Sequence, residues 1–186
     1  MKKTANNLVK GLALFLLSTV AAASSTAQAP SGEGHEQTSF SAEDEGVKNP
    51  VPVPQDVLLL LAKDDYVRDT MKYTDPPVKA PPQDWFSASV IHLGASGEED
   101  LVVQAKGPLR GANVDMFWVI ALTSSGPVIV LNAPTHNLMV MKTKWNGHRN
   151  IELLSATAVE CSTTVLRFNG SKYEVYRDKS GPIPDC

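Results

Sequence analysis

The sequence predicts a mainly β, α+β protein. The expected fold is an antiparallel, curled meander of about eight short strands with one packed N-terminal helix. Three observations carry this. From Trp85 onward, short runs rich in β-branched and aromatic residues are cut by turn signals. Only residues 55–73 show apolar residues at helical spacing. Two proline pairs, Pro76-Pro77 and Pro81-Pro82, separate the two patterns. Either a β-sandwich or a barrel would accommodate such a meander.

The chain begins as an export signal. Lys2, Lys3 and Lys10 supply positive charge, residues 12–20 are apolar, and Ala27-Gln28-Ala29 fits a small-x-small cleavage site. The apolar run is shorter than the ~20 residues a helix needs to span a bilayer. Residues 1–29 therefore read as a cleaved bacterial-type leader, and the mature chain as periplasmic or secreted, with no membrane span after cleavage. No cysteine lies near the cleavage region, which argues against a lipid anchor. In an oxidising compartment Cys161 and Cys186 are expected to bridge, contributing roughly 3 kcal/mol in the chain-entropy picture. Two free thiols, or pairing with another chain, are the alternatives.

Charge bounds the partners. The chain has 17 basic and 20 acidic residues, and loss of three leader lysines leaves 14 against 20, a net charge of −6. A mildly acidic exported chain is a poor match for nucleic acid or an anionic membrane surface. The expected partner is a protein or glycan of the cell envelope, and the expected state is monomeric.

Along the mature chain, residues 30–54 lack apolar periodicity and read as a disordered tether in which His35 has no role. Pro54 fits the first position of a helix over 55–73, with Val57, Leu60, Leu61, Val67 and Met71 recurring along it and Asp64 and Arg68 spaced to pair. Residues 74–84 form a stiff Pro-rich linker, so helix and linker occupy 55–84. The β-rich part is 85–186, and 55–186 is expected to be one globular unit.

The strand runs are WFSASVIHL, DLVVQAK, DMFWVIAL, PVIVLN, NLMVMKTKW, IELLSA, TVLRF and KYEVYR. Asn146-Gly147 and Asn169-Gly170 favour two-residue turns, and Ser125-Gly126-Pro127 is another reversal. Strict alternation places Leu138, Val140, Lys142 and Lys144 on one face and Met139, Met141, Thr143 and Trp145 on the other. It likewise groups Tyr173, Val175 and Arg177 against Lys172, Glu174 and Tyr176. Residues 116–122 are apolar on both faces and read as a central strand, with Phe117 and Trp118 in the core.

The residue chemistry excludes several functions. Around Asn146-Gly147, Lys144, His148 and Arg149 stand where a calcium loop needs carboxylates, which leaves a hairpin turn. His92, His136 and His148 lack zinc-ligand spacing. Gly94-Ala95-Ser96-Gly97 is not a nucleophile elbow. No phosphate or dinucleotide loop occurs, so no cofactor and no metal are expected. Glu98, Asp100 or Glu152 beside a histidine would be the minimum for a hydrolase, and the acidic cluster at 98–100 also fits a solvated turn. The remaining candidates are aromatics and cations on a surface: Trp85, Phe86, and above all Trp145, His148, Arg149, Tyr173 and Tyr176.

Several segments carry a resemblance: Gly111-Ala112-Asn113-Val114, Phe117-Trp118-Val119, His136-Asn137-Leu138, Asn146-Gly147-His148-Arg149-Asn150-Ile151-Glu152 and Leu166-Arg167-Phe168-Asn169-Gly170-Ser171-Lys172-Tyr173. Together they look like exported bacterial proteins without assigned activity. The last two are also similar to a single FG-GAP/VCBS-type β repeat, except that His148 and Asn150 stand where such repeats carry acids. The resemblance implies a secreted β module and no particular activity. The functional expectation is an exported non-enzymatic binding module. The alternatives are a periplasmic inhibitor or immunity-type protein against an envelope enzyme, and a carboxylate-dependent hydrolase.

Overall fold

The computed structural model describes residues 36–94 and 97–183. The expected leader, His35, Ala95-Ser96 and Cys186 lie outside them. The element order is β1 (Ser39–Ser41), α1 (Gln55–Leu61), α2 (Asp65–Tyr73), β2 (Phe86–Ile91), β3 (Asp100–Ala105), β4 (Asp115–Thr123), β5 (Gly126–Thr135), β6 (Asn137–Trp145), β7 (His148–Ala156), β8 (Glu160–Phe168) and β9 (Tyr173–Pro182). The fold is mainly β, with two α-helices among the described residues, as the strand-dense composition predicts. The described strands form two antiparallel sheets, ordered β2-β3-β4-β5 and β1-β6-β7-β8-β9, and no closed barrel.

Burial explains the layering. Val57, Leu58, Leu61 and Val67 of the helices pack with Leu101, Val103, Trp118 and Ile120 on one face of the four-stranded sheet. Val102, Phe117 and Val119 on its other face pack with Leu138, Val140, Ile151 and Leu166 of the five-stranded sheet. The four-stranded sheet is thus the middle layer, which is why β3 is buried at every position and β4 is apolar on both faces. The far face of the five-stranded sheet meets water, with Met139, Trp145 and Tyr176 exposed. Among the described residues no helix is long and apolar enough to cross a membrane.

The single helix expected over 55–73 is two helices. Asp64 is extended and accepts hydrogen bonds from the backbone N–H groups of Tyr66 and Val67, so it caps a new helix. Having that task, it does not pair with Arg68. Arg68 pairs with Asp65 at 2.8 Å, and Asp64 accepts a bond from Asn132.

The largest correction concerns residues 36–54, whose sequence reads as a tether. They are ordered and integral. Phe40 is 1% exposed and β1 pairs with β6, while Val47 and Val53 enter the core. Their polar groups are met by side chains from distant strands. Gln104 donates to the Ser41 carbonyl, Arg110 to the Ala42 carbonyl, and Ser87 accepts from the Val47 N–H. At Gly46 the backbone has φ of 141°, and a Cβ would lie 2.8 Å from Ser87 Oγ, so the chain crosses here only as glycine. A segment with few apolar residues can be ordered when each reaches the core and its backbone is satisfied there.

The hairpin at Asn146-Gly147 forms as its sequence predicts, with positive φ at both residues and Trp145 opposite His148. At Asn169-Gly170 the loop is longer, because the Asn169 side chain accepts from the N–H groups of Ser171 and Lys172. Trp85 and Phe86, candidates for an exposed edge, are core residues.

Candidate functional site

The five candidate side chains do not share one surface, and two bulges decide where they go. On β6 the register runs from Val140 opposite Ile151 to Lys144 opposite Arg149, so three residues of β6 face Asn150 alone. On β9 it runs from Val175 opposite Leu166 to Arg177 opposite Val165, leaving Tyr176 as the extra residue. The second bulge overturns strict alternation, since Val175 and Arg177 lie on opposite faces.

Arg149 fills the first bulge. Its Nε donates to the Met141 carbonyl at 2.8 Å and one terminal nitrogen to the Val140 carbonyl at 2.9 Å. The other terminal nitrogen meets Glu36 at 2.7 Å. Burial pushes the Glu36 carboxyl up, but the His92 N–H and the Arg149 guanidinium outweigh it and hold the acid below its ordinary value. Arg149 is therefore a structural clamp, and not a group presented to a ligand.

Tyr173 and His148 turn inward. Tyr173 is 6% exposed and donates to the Arg149 carbonyl at 2.7 Å. Burial, and then the Asp100 charge, push its hydroxyl up. His148 stacks on Phe168, their ring centres 4.3 Å apart. With Leu93, Asp100 and Val130 these residues line a cleft of about 150 Å³ between the sheets. Asp100 accepts from the Leu93 N–H at 3.1 Å and from the Leu122 N–H. Burial pushes its carboxyl up against those bonds and the nearby His148.

His148 Nδ1 lies 3.2 Å from the Asn146 carbonyl, and neither Asp100 nor Glu152 pairs with a histidine among the described residues. Two histidine–carboxylate pairs among the described residues, His92 with Glu36 and His136 with Glu43, do not line the cleft. No described group of His, Cys, Asp and Glu is arranged to hold a metal.

Trp145 and Tyr176 meet on the outer face of the five-stranded sheet, around a residue the sequence reading passed over. The Arg167 guanidinium lies 4.4 Å from the Trp145 ring centre and 3.2 Å from that of Tyr176. Arg177 also approaches Tyr176, at 5.7 Å. Trp145 is 46% exposed and Tyr176 50%. Arg167 Nε is buried without a hydrogen-bond partner among the described residues, and Arg167 forms no ion pair among them. Glu174 stands directly opposite on β9 but pairs with Lys172 at 3.7 Å. Arg167 hid in the sequence because its partners lie on two other strands and reach it only through irregular register.

The chain matches no known protein-family model, no curated protein and no solved structure.

Proposed function

We propose that the chain is an exported, non-enzymatic β-rich module that binds a component of the bacterial envelope through the outer face of its five-stranded sheet. The observation behind this reading is the Arg167 guanidinium, held against two half-exposed aromatic rings with no acceptor among the described residues. Tryptophan, tyrosine and arginine dominate binding hot spots, because each offers large contact area together with directional polarity. Two stacked rings also pre-orient the guanidinium, which lowers the entropy cost of engaging a partner. Export rests on the leader-like residues 1–29, and it makes a Cys161–Cys186 bridge part of the same proposal. Cys161 lies opposite Gly181, which precedes Cys186 by a few residues in the sequence. Retention of envelope components by the immobilised protein tests the reading. Trp145→Ala and Tyr176→Ala should each reduce retention by about tenfold. Equal retention by all three proteins would refute it.

A further inference from the structure

Charge is divided unevenly along the chain. Residues 36–136 carry seven basic and 14 acidic side chains, whereas residues 137–182, which supply β6 to β9, carry seven basic and four acidic. The C-terminal sheet is thus less acidic than the rest of the chain, although Arg149 among its cations is clamped by Glu36 and Lys172 pairs with Glu174. By register, Arg167, Arg177 and Lys179 share the outer face of that sheet, with Glu152 and Glu174 as its acids. Glu174 is engaged by Lys172, and Glu152 forms no ion pair with Arg167. The guanidinium is stacked on two rings and its Nε is buried without a partner among the described residues, which leaves its two terminal nitrogens as the fork for a planar oxyanion.

The surroundings narrow the partner. By register Glu152, Glu174 and Arg177 share that face with Arg167, Arg177 lies 5.7 Å from the Tyr176 ring, and Met139 and Val165 are apolar residues of the same face. The dry centre of a protein interface excludes lysine and glutamate and gathers apolar area. A hydroxyl-rich ligand needs neither condition. It can lay an apolar ring face on tryptophan and leave its polar edges wet.

We infer that the outer face binds an acidic glycan, with a uronate-type carboxylate seated on Arg167 and a sugar ring against Trp145. This rests on the binding reading above and specifies its ligand. Charge complementarity selects the anion, and the polar border selects sugar over protein.

The test titrates the full mature protein with purified hexuronate oligosaccharides, neutral oligosaccharides of equal length, and polyglutamate. Trp145 is a built-in probe, since Trp85 and Trp118 are 8% and 0% exposed and buried from ligand. Oligouronates should change its emission, with affinity falling as salt rises, and neutral sugars should bind at least about tenfold more weakly. Arg167→Ala should lose about tenfold to a hundredfold for the uronate, the scale of a charge-assisted bond, and Arg167→Lys should recover part of that. Circular dichroism of both variants separates lost binding from lost folding. Glu174→Gln, which removes a neighbouring anion, should tighten binding. Equal binding of neutral and acidic sugars, binding of polyglutamate alone, or no response to any oligouronate would each overturn the inference. If envelope retention still depends on Trp145 in those cases, only the ligand assignment fails. If retention is independent of Trp145, the binding reading fails with it.

Discussion

Arg149→Ala should destabilise the fold by about 3 kcal/mol. Arg149 makes two bonds to β6 carbonyls and an ion pair to Glu36, with side-chain exposures of 12% and 28% for the pair. Charge-assisted bonds contribute roughly 1.5–3 kcal/mol each, and breaking one side of a buried pair costs about 3–5 kcal/mol. The partial exposure of Glu36 and the access of water to the vacated bulge place the expected loss at the low end of that range. With a urea slope near 2 kcal/mol/M, the midpoint should fall by about 1.5 M. Glu36→Gln alone should cost about 1 kcal/mol, and a double-mutant cycle should return a coupling of about 1–2 kcal/mol. Arg149→Lys keeps the charge but cannot serve both carbonyls and the carboxylate, so it should fall between. A loss below about 1 kcal/mol for Arg149→Ala would show that the clamp does not hold the bulge and the 36–54 segment together.

Phe40→Ala should cost about 3–5 kcal/mol in chemical denaturation, because a fully buried ring is removed from a segment that a tether would let vary freely. A change within about 0.5 kcal/mol would restore the tether reading. Asp100, whose carboxyl burial pushes up, holds its proton more tightly folded than unfolded. Its contribution is full below the unfolded value of about 3.9 and is lost as pH rises through the folded value. Wild type should therefore lose stability relative to Asp100→Asn as pH rises from about 4, and parallel curves would contradict this. In mass spectrometry the mature protein should take up alkylating reagent at Cys161 and Cys186 only after reduction. Uptake without reduction would refute the bridge.

The sequence made much of the fold legible and little of the site. Alternation and turn residues identify strands well, because each position of β3 or β4 answers to a local pattern of burial. The tight turn at Asn146-Gly147 is equally local. What stayed hidden depends on distance along the chain. Phe40 looks isolated, yet Leu138, almost a hundred residues later, lies opposite it. Asp64 looks like half of a helix-face pair until its cap geometry is seen. Tyr173 and Arg149 looked exposed beside a hairpin, but an inter-sheet cleft and a bulge take them inward. Arg167 carried no sequence signal, because a bulge is invisible to period-2 reasoning and two bulges set its aromatic neighbours.

The central claim is that function resides on the outer sheet face and not in the cleft between the sheets. Retention of envelope material should be compared for wild type, Arg167→Glu and the cleft variant His148→Ala/Asp100→Asn, with bound protein and bound uronate quantified separately. The account predicts loss of at least about tenfold for Arg167→Glu, chiefly in bound uronate, and near wild-type retention for the cleft variant. Retention unchanged in Arg167→Glu and lost in the cleft variant would contradict it.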